Sequence, residues 1–313
     1  MNLGLPYKGS KNTIAFDIVK ALPRGKKFLD ACCGGGAILM AAAMSMRWEK
    51  VVGNDLNPAT IALLDAVLIH KGQIEYEHPP VCTRDDFFHS LQRIENGDFD
   101  IQDCVNKYCA SFGNDGKTYL YGADIEKVKT TTEQMLCAGT LEQRRENYRA
   151  FIGFLLGYSS DERILRLQNL QQLNQLERLQ RLESLQSLER LERLERLDIF
   201  DIDYKEFDVV YFDIPYRGTN KYDFEFDYDR FFDMFKNLGK PAFLSEYDAP
   251  FEAVAQFDKA QNMAASVGST GKKEGLEKLY FNGSMEQYRE LMGKEYKPLN
   301  DEKTLDIFGE RVA

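Results

Sequence analysis

The chain has 313 residues, 43% hydrophobic and 29% charged, with a formal net charge of -10 at pH 7, enough for one large core or a main domain carrying a smaller inserted one. No stretch approaches the roughly 18 apolar residues of a membrane-spanning helix, and the opening Pro6-Tyr7-Lys8-Gly9 lacks the basic and apolar regions of a secretory signal, so a cytoplasmic protein is expected. The cysteines Cys32, Cys33, Cys82, Cys104, Cys109 and Cys137 form no CxxC pair and have no histidine cluster nearby, which argues against structural zinc and for reduced thiols.

Residues 11–22 alternate with a helical period. Residues 27–30 read as a short buried strand running into Gly34-Gly35-Gly36 and then into an alanine-rich helix over 37–47, the opening of a βαβ unit. Residues 51–53 form a second strand closed by Asn54 and Asp55, and Pro58 stands in the first turn of the next helix, where its missing N–H costs nothing. This alternation predicts a parallel sheet with helices on both faces. From about Asp86 the rhythm is lost, and it returns with an apolar run over 207–213 that ends in Asp213-Ile214-Pro215-Tyr216. A helix over 228–238 and a strand over 241–245 follow, and then a polar stretch without a clear period.

Within the interruption, leucine recurs at every third position from Leu167 to Leu197, separated mostly by Gln, Glu and Arg. On a helix each three-residue step falls about 60° short of a full turn, so the leucines wind round the cylinder and define no fixed seam. Helix propensity is high and neither Pro nor Gly interrupts it. The segment is therefore expected to be helical, a scaffold or spacer outside the chemistry.

Three features carry chemistry. Phe28 to Gly36 place a carboxylate, Asp30, at a strand end before a glycine loop, where a ligand can approach the backbone closely. The strict GxGxxG spacing is absent, and a plain strand-to-helix turn remains an alternative. Asp55 follows the second strand about 20 residues later, where an acid can accept both hydroxyls of a ribose; a helix cap is the plainer role. Asp213-Ile214-Pro215-Tyr216 emerges at the same sheet edge. An Asp carboxylate and the Ile214 carbonyl can accept the two N–H bonds of a conjugated amine, localise its lone pair and aim it at a methyl group. Tyr216 can stack on a base that has left the duplex. A strand-end turn is again the alternative.

These residues resemble the adenine-N6 DNA methyltransferases of the Dam-like, D12 class of bacteria and their phages. Pro6 to Lys11 are similar to that family's N-terminal cofactor motif, residues 28–36 to its motif I, 54–57 to its acidic motif II, and Asp213 to Tyr216 to its DPPY motif. Residues 111–117, 119–122, 245–247 and 277–280 are also similar to segments of the family, and the leucine triplets to a feature of some phage members. Ile214 replaces the first proline of DPPY, which costs rigidity and leaves the carbonyl in place; Cys32-Cys33 is unusual in motif I, and cysteine is small enough for the pocket to survive.

The resemblance implies an α/β fold, a Rossmann-like methyltransferase sheet with an inserted, mostly helical target-recognition region. Its expected bounds are 1–88 for the cofactor-binding part, 89–200 for the insertion and 201–313 for the catalytic part. It implies S-adenosylmethionine as cofactor, held by Tyr7, Lys8, Lys11, Asp30, Cys32, Gly34, Gly36, Asp55 and Asp213, with Asp213, Ile214, Pro215 and Tyr216 catalytic. Double-stranded DNA is the expected partner, with no metal, no membrane and a monomeric state. Lys107, Asn114, Lys117, Tyr119, Lys127, Lys129, Arg144 and Arg145 are the candidate nucleic-acid contacts, since binding depends on a local patch and not on the acidic average. Methylation of RNA adenine or protein glutamine uses the same four-residue motif, and a catalytically inactive DNA-binding relative keeps the fold; both stay open here. A nicotinamide dehydrogenase fits less well, given the broken glycine fingerprint.

Overall fold

The computed structural model describes residues 3–70, 81–168, 173–185, 188–216, 226–258 and 276–296. The chain divides into two compact units, one of Met1, Lys11–Ile61 and Leu188–Ala313, the other of Asn2–Ser10 and Ala62–Ser187. The first unit opens with α1 (Ala15–Lys20), β1 (Lys27–Asp30), α2 (Ala37–Met44), β2 (Lys50–Asn54) and the start of α3 (Pro58–Leu68). The second then holds α4 (Arg84–Asn96), α5 (Ile101–Cys109), α6 (Ala123–Cys137), α7 (Leu141–Leu156), α8 (Ser160–Gln168) and α9 (Asn174–Ser184). The chain returns to the first unit for β3 (Leu191–Glu195), β4 (Val209–Phe212), α10 (Tyr228–Lys236), β5 (Ala242–Glu246), β6 (Glu252–Asp258), β7 (Leu276–Phe281) and α11 (Met285–Met292).

Among the described residues seven strands form one sheet in the order β3-β2-β1-β4-β5-β7-β6. All adjacent pairs are parallel except those of β7, which runs against both β5 and β6. The central strands β1 and β4 are buried almost throughout, as a sheet covered on both faces requires. One part of the core gathers Leu29, Val52, Val210, Phe212 and Leu244 from the strands with Phe231 and Phe235 of α10. The polar C-terminal stretch whose period was unclear supplies β6, β7 and α11.

Several expected bounds move. The helix expected over 11–22 is confined to Ala15–Lys20, because Lys11 is buried in an ion pair before it begins. The helix expected to 47 ends at Met44, and Met46 turns to a φ of 57°. Asn57 caps α3, its Oδ1 accepting from the Ala59 and Thr60 amides at 3.1 and 3.3 Å.

The leucine triplets are the largest correction. The expected continuous helix is divided among the end of α8, α9 and the edge strand β3. Propensity loses to the demand of β2 for backbone partners: β3 pairs parallel to β2, and the Val51 amide bonds the Arg190 carbonyl at 2.8 Å. Leu194 closes over Gly53, where an added Cβ would meet its Cδ2 at 2.8 Å. The charges of the repeat dress this edge, Arg193 with Glu195 and Glu206, and Glu192 with Lys27. In the helical unit, Leu179, Leu182 and Leu185 are buried, and the third residue of each triplet turns to backbone. Gln175 bonds both the amide and the carbonyl of Cys82, Arg178 the carbonyls of Cys109 and Ser111, and Arg181 those of Leu3 and Gly4. The repeat is thus scaffold in both units.

Asn54 joins β2 to the chain after β3. Fully buried, it donates to the Ala31 and Leu197 carbonyls at 3.0 Å and accepts from the Leu197 amide at 2.9 Å. Asn54→Ala leaves these buried backbone groups without partners and is expected to cost about 2–3 kcal/mol, read as a lower urea midpoint; a wild-type midpoint contradicts this role.

Candidate active site

The site is built at the carboxyl edge of the parallel strands, where doubly wound sheets bind ligands. Asp30 pairs across the ladder with Tyr211, which brings the ends of β1 and β4 side by side. Beyond β1, the Ala31 amide bonds the Tyr211 carbonyl and the Cys33 amide the Asn54 carbonyl, both at 2.8 Å. Gly34 and Gly36 then take φ values of 47° and 80°, a left-handed backbone that a side chain resists, and α2 starts directly after. Asp55 braces the loop, its Oδ2 accepting from the Gly34 amide at 2.8 Å and its Oδ1 from the Asn57 amide at 2.9 Å.

Asp30 lies at the end of β1, 1% exposed, and among the described residues neither of its oxygens has a partner at hydrogen-bond geometry. Burial, followed by the charges of Asp213 and Asp55, holds its carboxyl well above the usual range, opposed by the Leu39 amide and Lys11. Burial also raises Asp55, and it raises the Cys32 and Cys33 thiols strongly, with Asp55 and Asp30 adding to the effect. Thiols in that state are poor nucleophiles.

At the end of β4, both Asp213 oxygens lie 2.7 Å from the Lys11 ammonium. Lys11 Nζ also stands 3.6 Å from Oε1 of Glu277 on β7, a carboxylate fully buried, to which the Tyr216 hydroxyl donates. The same ammonium sits 4.8 Å from the Tyr216 ring centroid. The Tyr247 ring meets Tyr216 edge-on at 4.7 Å. Burial pushes the Lys11 ammonium down, and Asp213 and Glu277 more than offset it, leaving it raised. Burial, with Asp213 and Glu277, drives the Tyr216 hydroxyl far upward, so it stays protonated and donates. The Ile214 carbonyl takes no hydrogen bond among the described residues, while that of Pro215 accepts from the Tyr228 hydroxyl at 2.9 Å.

The structure thus gathers Asp30, Cys32, Gly34, Gly36, Asp55, Asp213, Ile214, Pro215 and Tyr216 at one edge. Lys11, expected on the cofactor, is clamped to Asp213, because this half-buried carboxylate and the buried Glu277 draw its ammonium. Tyr7 and Lys8 belong to the helical unit, where the Tyr7 ring lies 5.9 Å from that of Tyr108 and Lys8 is exposed. Glu277 and Tyr247 were not among the expected site residues. Glu277 had a readable signal: it shares its strand face with Leu279 and Phe281, where an apolar residue is the norm.

Within the helical unit, Asp115 organises a tight turn by accepting from the Lys117 and Thr118 amides at 2.8 Å and from Ser111 Oγ at 3.0 Å. The turn presents Phe112, 62% exposed, beside Asn114 at a φ of 57° and the exposed Lys117. Lys107 packs under it at Gly116. Arg144 and Arg145 are exposed on α7, and Arg144 also bonds the Ala138 carbonyl at 3.1 Å. Tyr119 is corrected from surface contact to core: it is 3% exposed and its hydroxyl bonds the Cys82 carbonyl at 2.9 Å. Lys129 is likewise buried, its ammonium 5.1 Å from the Tyr121 ring centroid, and Lys127 stands over Phe154.

Among the described residues, no helix is long and apolar enough to cross a membrane and no group of three or more His, Cys, Asp or Glu side chains could hold a metal ion. No curated protein matches the chain. The family model of the D12 class N6 adenine-specific DNA methyltransferases matches residues 7–269, which include the glycine loop, Asp55 and the Asp213–Tyr216 segment. The chain therefore belongs to this family, whose members transfer a methyl group from S-adenosylmethionine to N6 of adenine in DNA.

Proposed function

We propose that Asp213 and the Ile214 carbonyl receive the two N–H bonds of an extrahelical adenine, with Tyr216 and Tyr247 walling the base. The observation that carries this reading is a half-buried carboxylate, 22% exposed, at the end of a central strand, next to a main-chain carbonyl that has no other donor among the described residues. Accepting both bonds localises the amine lone pair and orients it for in-line attack. When bound, S-adenosylmethionine supplies an electrophilic methyl on a sulfonium. The residues present fit such a ligand. Among the described residues Asp30 is a buried carboxylate without a hydrogen-bond partner, and Asp55 and Asp213 repel its charged form, so the edge favours a cationic guest. Each Asp55 oxygen keeps a lone pair for a ribose hydroxyl beyond the amide that it already accepts.

The duplex lies, in this reading, against the helical unit, as the target-recognition region. Phe112 and Lys117 on the Asp115 turn offer a stacking ring and a phosphate contact. On α7, Arg145 and Arg149 stand one turn apart, both exposed and without an ion pair among the described residues. The enzyme acts as a monomer in the cytoplasm, in the phage or restriction–modification setting that the resemblance implies.

Asp213→Ala is expected to abolish transfer of labelled methyl to duplex DNA while S-adenosylmethionine affinity is largely kept, whereas Asp55→Ala weakens that affinity first; an active Asp213→Ala variant overturns the assignment, and RNA and protein extract as parallel acceptors test the substrate. Asp30→Asn is expected to weaken cofactor binding yet raise the melting temperature of the ligand-free protein by a few degrees at pH 7. A carboxyl raised in the folded state imposes no penalty near pH 3.8 and its full penalty above the raised value, so the gain shrinks on acidification towards pH 4; a gain that grows instead contradicts the orphaned charge. For the Arg145→Gln, Arg149→Gln double variant, the slope of log affinity for duplex DNA against log salt is expected to fall by about 2, and an unchanged slope removes α7 from the interface.

A further inference from the structure

Lys11 raises a difficulty for the amine pocket. An ammonium 2.7 Å from both Asp213 oxygens neutralises the carboxylate that has to stabilise an amine gaining positive charge. The arrangement around it removes the difficulty. Glu277 Oε1 lies 3.6 Å from the same ammonium, on a side chain with no solvent exposure, so that little water screens the interaction. The formal charges of Lys11, Asp213 and Glu277 sum to minus one. Without Lys11, the half-buried Asp213 and the buried Glu277 carboxylates would stand together and one would take up a proton; without Glu277, Lys11 and Asp213 would cancel.

We infer that Glu277 is a positioning residue for methyl transfer: by sharing Lys11 with Asp213, it offsets the charge with which Lys11 would otherwise cancel the Asp213 carboxylate. The inference rests on the reading of Asp213 as the amine acceptor. Glu277 touches neither the amine nor the donor in this arrangement; it acts through Lys11, and through Tyr216, whose hydroxyl it fixes. As the C–S bond breaks and the N–C bond forms, positive charge moves from sulfonium to N6, and a fixed negative pocket at N6 favours that movement.

The charge count can be tested by a cycle of neutralising substitutions. Glu277→Gln preserves shape and an acceptor for Tyr216 but takes the cluster to zero; its single-turnover rate is expected to fall about 10–100-fold, the loss typical of one preorganised electrostatic group, with KM for S-adenosylmethionine changed by less than about threefold. Adding Lys11→Met returns the cluster to minus one on Asp213 alone, and the double variant is expected to run about tenfold faster than Glu277→Gln. A wild-type rate for Glu277→Gln, or a double variant slower than the single one, overturns the inference. Melting of the ligand-free proteins gives an independent readout. In Lys11→Met, Asp213 and Glu277 face each other beside Tyr216, Tyr211, Tyr247 and Asp30, so one carboxyl is raised in the folded state. Stability is then lost as pH rises from 5 to 8, beyond any loss in the wild type, and the added Glu277→Gln is expected to abolish that loss. If Glu277→Gln alone does not fold, the double variant decides: activity within about tenfold of wild type supports the charge count, and activity as low as that of Asp213→Ala overturns it. An active Asp213→Ala variant would instead remove the amine reading, whereas an inactive one beside a fully active Glu277→Gln would remove this inference alone.

Discussion

The buried contact between Lys11 and Asp213 is the constraint around which the catalytic edge is arranged. Burying an ammonium at 4% exposure is costly unless carboxylates surround it. Asp213 comes from the end of β4 and Glu277 from the start of β7, so the cation ties together segments far apart in sequence. The tie fixes where the Asp213 carboxylate points and therefore, in the proposed reading, where the amine arrives. It also explains why α1 begins late, since the residues before it are committed to delivering Lys11.

The cofactor side of the edge stores the opposite kind of electrostatics. Asp30 has no hydrogen bond of normal geometry among the described residues, Asp55 is held by two backbone amides, and the loop between them runs through the left-handed conformations of Gly34 and Gly36. An unpartnered buried carboxylate destabilises the ligand-free fold and is the sort of local cost that functional sites carry. On the amine side, by contrast, Asp213 and Glu277 already share Lys11. The two halves of the edge thus ask for different guests, one cationic and one a donor of N–H bonds, which is the pairing that N6 methylation brings together.

Much of this was legible locally. The run from Phe28 to Gly36, Asp55 after β2 and Asp213-Ile214-Pro215-Tyr216 after β4 declare themselves, because strand ends, glycine turns and strand-end acids are written within a few consecutive residues. What was not legible depends on partners distant in sequence. The leucine triplets have helical propensity throughout, and only the open edge of β2 turns Leu191–Glu195 into a strand. Tyr119 looks like a surface aromatic until the Cys82 carbonyl takes its hydroxyl. The ion pairs of Lys11 depend on Asp213 and Glu277, more than 200 residues away, and Glu277 itself differs from a solvated strand acid only by the apolar face that it shares.

The central claim concerns where one nitrogen sits, and a crystal structure of the protein with a target-bearing duplex and S-adenosylhomocysteine tests it most directly. The account predicts a flipped adenine whose N6 lies within about 3 Å of both an Asp213 oxygen and the Ile214 carbonyl. An adenine held elsewhere, with N6 beyond hydrogen-bond reach of Asp213, would contradict it.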